Sequence, residues 1–157
     1  MIRAATPDDV PAIAALIRAL AEYERLSHEV ALDEARLRDH LFGPHRYADA
    51  LVAGDGGAIA GFALFFHTYS TFLARPGIWL EDLFVLPEHR RRGHGRALLA
   101  AVARIAVERG CARIEWSVLD WNEPAIAFYR ALGAQPMSDW TTNRLTGAEL
   151  EQLGTRA

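Results

Sequence analysis

The spacing of apolar residues changes several times along this chain, and each change predicts a new element. A short apolar run before Thr6 reads as a strand. Thr6-Pro7-Asp8-Asp9 then opens a helix, with Thr6 as cap, Pro7 at the first position and two aspartates at the positive end of the dipole. Ile13, Leu16, Ile17 and Leu20 recur at helical spacing and carry it to about Glu24. A second helix is predicted from about Asp33, with Leu37 and Leu41 on one face and Gly43-Pro44 as its stop. Strand signals follow: Ala50–Ala53, a tight turn at Asp55-Gly56-Gly57, and a long apolar run over Ile59–Tyr69. Pro76-Gly77 marks another turn before a third strand over Ile78–Leu86, closed by Pro87.

Helical spacing returns with Leu98, Ala101, Val102 and Ile105, and Gly110 supplies the stop. Arg113–Leu119 alternates as a strand. Asn122-Glu123-Pro124 opens a helix carrying Ala125, Phe128, Tyr129 and Leu132 on one face, and Gly133 ends it. Two weaker strands are expected near Ala134–Trp140 and Thr142–Thr146, then a short helix over Ala148–Leu153. The order predicts one mixed α/β domain over residues 1–157, with early hairpins and a central strand–helix–strand crossover.

Composition narrows the function classes. A net charge of −3 argues against a general nucleic-acid partner, which shows a basic excess. The lone cysteine, Cys111, forms no intrachain disulfide and reads as a small core residue. No apolar run spans a bilayer and the N-terminus lacks a signal-peptide pattern, so the chain is expected to be cytoplasmic, with no membrane partner. His28, His67, His89 and His94 lack metal-ligand spacing, and no metal is expected.

The segment with the most chemistry is Arg90-Arg91-Arg92-Gly93-His94-Gly95-Arg96, between a strand and a helix start. The first amides of a helix have no internal partner and the dipole makes that end positive, so a glycine-rich turn there suits a pyrophosphate. Gly-Lys-Ser or Gly-Lys-Thr is absent, which excludes a P-loop. Leu98 stands where the dinucleotide fingerprint wants a third glycine or alanine. The fit is to Arg-x-x-Gly-x-Gly, as Arg90, Gly93 and Gly95. Arg91, Arg92 and Arg96 could also pair with phosphate groups by charge-assisted hydrogen bonds.

That turn, the strand before it, and Asn122-Glu123-Pro124-Ala125-Ile126-Ala127-Phe128-Tyr129 together resemble the GNAT superfamily of acetyltransferases. Ala21-Glu22-Tyr23-Glu24, Leu80-Glu81-Asp82-Leu83-Phe84-Val85 and Trp121-Asn122-Glu123-Pro124 are similar to the diamine (spermidine/spermine) and thialysine members. The resemblance implies a single-domain GNAT fold: a mixed, mostly antiparallel sheet flanked by helices and splayed between its fourth and fifth strands. It implies that acetyl-CoA is the co-substrate and a small primary amine the acceptor. The pantetheine arm would pair with the backbone of Leu83, Phe84 and Val85, and the pyrophosphate would sit on Arg90, Arg91, Arg92, Gly93, His94, Gly95 and Arg96. Asn122, Pro124 and Ala125 would complete the cofactor site, Tyr23 and Glu24 would contribute to the amine pocket, and a homodimer is expected.

Amine acetylation needs a neutral amine, and a proton donor helps the departing thiolate. By similarity, Glu81 would help remove the amine proton and Asp82 would hold a cationic substrate. Adjacent residues on a regular strand face opposite sides, so only one of the two is expected to face the reaction centre unless a bulge intervenes. The resemblance also implies that Tyr129 is the general acid that protonates the departing sulfur, and a phenol with its usual pKa of about 10 is protonated at neutral pH, as a donor must be. Two departures from the pattern are the basic run Arg90-Arg91-Arg92 and Asn143-Arg144, where polyamine-type enzymes tend to carry an aromatic residue. A protein acetyltransferase and a non-catalytic acyl-CoA-binding module are the alternatives, the second disfavoured by the presence of both Glu81 and Tyr129.

Overall fold

Two hairpins set the order of the sheet. In the computed structural model, which describes residues 1–156, β1 (Ile2–Ala4), β2 (Asp49–Asp55), β3 (Ala58–Ser70), β4 (Arg75–Val85) and β5 (Ile114–Glu115) lie side by side in chain order. The first four pair antiparallel, and β5 pairs parallel to β4. Gly56 and Gly57 join β2 to β3 with φ of 59° and 87°, a two-residue turn that needs left-handed backbone at both positions. The second hairpin turns at residues 71–74, not at Pro76-Gly77 as the sequence predicts. Pro76 and Gly77 instead lie inside β4 opposite Tyr69 and Thr68, and a Cβ on Gly77 would come within 2.7 Å of Thr68 Oγ1. The glycine serves close strand approach rather than a turn.

Helix α1 (Val10–Tyr23) and α2 (Glu34–Phe42) cover one face, where Ile13, Leu16 and Leu41 pack with Val52, Phe62 and Phe84. Val85, next to Phe84, faces the other side, where its Cγ2 would lie 3.9 Å from a Cβ on Gly95 in α3 (His94–Glu108). Leu98, Ala101 and Val102 of α3 are buried, as the helical spacing predicts.

β5 is much shorter than the Arg113–Leu119 strand expected. It pairs only as Ile78↔Ile114 and Trp79↔Glu115, while β4 runs on to Val85. Among the described residues, no strand pairs with that edge of β4 beyond Trp79, which is the splay expected between strands four and five.

The described residues form two compact units, 1–119 and 120 onward. The second holds α4 (Glu123–Ala131) and α5 (Gly147–Thr155). The strands expected near Ala134–Trp140 and Thr142–Thr146 do not form. Pro136 removes a ladder donor from the first and polar residues dominate the second, while Met137, Trp140 and Leu145 stay exposed. The last helix opens one residue before Ala148 and extends to Thr155.

Three helices end in the same motif. Gly110 after α3 and Gly133 after α4 take φ of 71° and 92°, and the next residues, Cys111 and Ala134, donate back to Ala106 and Tyr129. Arg25 does the same after α1 at φ 60°, with Leu26 N–H bonded to the Ala21 carbonyl at 2.8 Å. No glycine announces that stop, yet it fixes the end of α1 where Tyr23 and Glu24 stand.

Gly61 sits opposite Val85, where a Cβ would come within 2.6 Å of the Phe84 carbonyl oxygen. Backbone cannot yield cheaply there. Gly61→Ala is expected to destabilise the fold by about 1–3 kcal/mol, measured by urea denaturation.

Candidate active site

The register between β3 and β4 slips at one point. Gly61–Leu64 pair with Val85–Asp82, but Phe65 pairs with Leu80. Glu81 is the extra residue of a β-bulge. Without it, Glu81 and Asp82 would face opposite sides of the sheet. With it, Trp79 and Glu81 share a face on one side of the slip, and Asp82 takes the same face on the other. Two contacts agree. Trp79 Nε1 donates to Glu81 Oε2 at 2.8 Å, and Asp82 sits opposite Leu64, which packs against the α1 cluster. The expectation of opposed carboxylates is thus replaced by a pair on the α1 face.

Glu24, at the end of α1, joins them. Asp82 is held up to about 7 by burial first, then by the charges of Glu81 and Glu24. Burial also raises Glu24. The result is a patch of three carboxylates with one proton poised near neutrality. Such a patch attracts a cation and can take a proton from it. Glu81 is exposed and anchored by Trp79.

Arg90 lies beside this patch. Its Nε donates to the Val85 carbonyl at 2.9 Å, and its guanidinium stacks 4.8 Å from the Tyr23 ring centroid and 5.5 Å from that of Phe84. The Arg90 side chain is thus committed to β4 and α1. Arg92 and His94 are also engaged: Arg92 Nη1 bonds Asp55 Oδ2 at 2.8 Å, and His94 Nε2 lies 3.3 Å from the same oxygen. What the turn leaves open is main chain. Gly93 adopts φ 84° with nothing near the position of a Cβ, and a Cβ on Gly95 would meet only Val85 Cγ2, at 3.9 Å. Ala97 N–H is bonded to the Gly93 carbonyl, so the N–H groups of His94, Gly95 and Arg96 precede the first intrahelical bond of α3.

The open edge of β4 can be assigned residue by residue. Leu86 N–H bonds the Ala60 carbonyl at 2.9 Å. Antiparallel alternation then directs Phe84 and Asp82 backbone groups to β3, and Leu83 and Val85 groups to the splayed edge. Phe84, expected to pair with a ligand, is a core residue whose backbone is already used; Leu83 and Val85 carry that edge.

In the second unit, Asn122 is buried and caps α4, its Oδ1 accepting from Ala125 N–H at 3.4 Å, with Pro124 in the first turn. Tyr129 stands on α4 with its ring 5.4 Å from Phe128. No group of three or more His, Cys, Asp or Glu able to hold a metal occurs among the described residues. No helix among them is long and apolar enough to cross a membrane.

Residues 13–134 match the model of the acetyltransferase (GNAT) family. The chain is 36% identical over 166 residues to a thialysine N-epsilon-acetyltransferase of Mus musculus, covering 99% of this chain and 97% of the relative. It is 34% identical to an L-ornithine N5-acetyltransferase of Arabidopsis thaliana, covering 97% and 86%. Among solved structures, an integron cassette protein from the mobile metagenome of V. cholerae superposes with a TM-score of 0.81 at 23% identity, covering 99% of this chain and 97% of that one, a likeness of fold.

A carboxylate raised in the folded state costs stability once pH exceeds its ordinary range. The cost is absent well below pH 4 and complete above about 7. Asp82→Asn is expected to stabilise the protein at pH 8 by on the order of 2 kcal/mol and to be near neutral at pH 4. Thermal melts of both proteins at the two pH values check the sign.

Proposed function

The chain belongs to the GNAT acetyltransferase family, and on that premise we propose that it transfers an acetyl group from acetyl-CoA to the primary amine of a small cationic substrate. The lysine-like, ornithine-like and diamine types are the substrate class, in keeping with the names of its relatives. The observation that carries this reading is the pair Glu81 and Asp82, brought to one face by the bulge, with Glu24 at the end of α1 close enough to act on Asp82.

The residues fit acetyl-CoA. Leu83, and Val85 through its N–H, since Arg90 holds the Val85 carbonyl, present main-chain groups along an edge with no strand partner among the described residues, suited to the amides of a pantetheine arm. The uncrowded Gly93 and Gly95 and the free first amides of α3 suit a pyrophosphate. When bound, acetyl-CoA supplies the thioester carbon that the amine attacks. Glu24 and Glu81 draw the ammonium form of the substrate to the site. Asp82 takes its proton.

Sequence similarity gives the base role to Glu81, whereas the electrostatics favour Asp82. An alkylammonium holds its proton near pH 10, so transfer to an ordinary carboxylate is steeply uphill. Raising Asp82 from 3.8 to about 7 removes roughly 4 kcal/mol of that cost. Tyr129 is assigned as proton donor to the departing sulfur, on its place in the Asn122–Tyr129 stretch. The acceptance of a small amine, a homodimeric assembly and the use of acetyl-CoA are all parts of this proposal.

Thiol release from acetyl-CoA is to be measured with putrescine, spermidine, ornithine, lysine, thialysine and amino-terminal peptides. Turnover is expected with at least one of the small amines; release with peptides alone would transfer the activity to proteins. Asp82→Asn is expected to lower kcat by about 100-fold or more and to abolish the rise in kcat/KM through about pH 7. Tyr129→Phe is expected to lower kcat by at least about tenfold with little change in amine KM, and unchanged turnover would remove Tyr129 from the mechanism.

A further inference from the structure

Three side chains around the glycine-rich turn converge on one carboxylate that lies outside it. Asp55 closes β2 just before Gly56-Gly57 and pairs with Ala58. Its Oδ2 accepts from Arg92 Nη1 at 2.8 Å and lies 2.9 Å from His89 Nδ1 and 3.3 Å from His94 Nε2. His89 ends the short 3-10 turn that follows β4, Arg92 lies mid-loop, and His94 opens α3. One carboxylate thus ties the start, middle and end of the turn to a hairpin whose own shape is fixed by two glycines.

The turn needs such a tie. Arg91 holds φ at 63°, a conformation disfavoured for a residue with a Cβ, and Gly93 holds 84°. Neither the 3-10 turn nor α3 bonds across these two positions: the Arg90 N–H bonds back to Pro87, and the next bond across the loop is Ala97 to Gly93. Hydrogen bonds to an ionised acceptor are about twice as strong as neutral ones. The bonds from His89, His94 and Arg92 hold the Asp55 carboxyl well below the usual range, so it stays ionised at any pH at which the enzyme works.

We propose that Asp55 is a positioning residue for acetyl-CoA: it holds residues 90–94 so that main-chain N–H groups, rather than the Arg92 and His94 side chains, meet the pyrophosphate. The inference rests on the acetyl-CoA reading above and adds a residue to it that lies on a different hairpin. It also accounts for the unusually basic run Arg90-Arg91-Arg92. Arg90 is spent on the Val85 carbonyl and Arg92 on Asp55, so only Arg91 and Arg96 remain for direct phosphate pairing.

The test is calorimetric binding of acetyl-CoA together with steady-state kinetics on wild type, Asp55→Asn and Asp55→Glu. Asp55→Asn keeps the shape and removes the charge; it is expected to raise both Kd and KM for acetyl-CoA by about tenfold, with kcat and amine KM within about twofold. Asp55→Glu is expected to recover most of the loss. Asp49→Ala is the control, because Asp49 likewise gathers Arg46 at 2.6 Å and Arg109 at 3.0 Å, on the other end of β2, and its loss is expected to leave acetyl-CoA binding unchanged. Wild-type acetyl-CoA affinity in Asp55→Asn, or a fall in kcat with KM for acetyl-CoA unmoved, overturns the positioning role alone. Failure of the wild type to bind acetyl-CoA overturns the cofactor reading and this inference with it.

Discussion

One extra residue in β4 governs the chemistry of the first unit. The slip at Glu81 lets two neighbouring carboxylates share a face that a regular pleat would deny to one of them. Burial first, and then the charges of Glu81 and Glu24, raise the affinity of Asp82 for a proton. The same strand, a few residues on, turns Leu83 and Val85 toward an edge that β5 leaves open. A bulge and a splay in one strand therefore present a buried carboxylate and a main-chain edge side by side.

Charge is sorted along this strand and the turn after it. The carboxylates gather on the α1 face, at the bulge, where a cation would be held. The arginines and histidines gather just beyond Val85, where an anion would be held. Between them Arg90 stacks on Tyr23 and Phe84 and caps the Val85 carbonyl, so a cation also serves as part of the wall. The burial that raises Asp82 also weakens the fold at neutral pH, a local conflict between burial and charge.

Much of the architecture was legible from spacing and punctuation. The helices over Val10–Tyr23, Glu34–Phe42, His94–Glu108 and Glu123–Ala131 follow their apolar periods, and Gly110 and Gly133 mark two of the stops. The hairpin at Gly56-Gly57 was announced by residues that accept positive φ. The two expected strands after Ala134 were not legible in the right sense, because alternation makes a strand only where a neighbouring edge and a buried face exist. The end of α1 near Glu24 follows from the apolar period alone, since Arg25 fills the position that glycine fills elsewhere.

The sequence by itself determined which residues are candidates for the chemistry: the Glu81-Asp82 pair, the glycine turn after it, Asn122 as a helix cap and Tyr129 on the following helix. Those are local facts, written in residue type and in spacing within one element. Only the tertiary structure decided how these candidates are arranged within the first unit. The bulge depends on a register between two strands, the raised Asp82 on burial under α1, and the capture of Arg92 and His94 on a carboxylate in another hairpin. Each is a contact between residues far apart in the chain, which no period or motif along it can record.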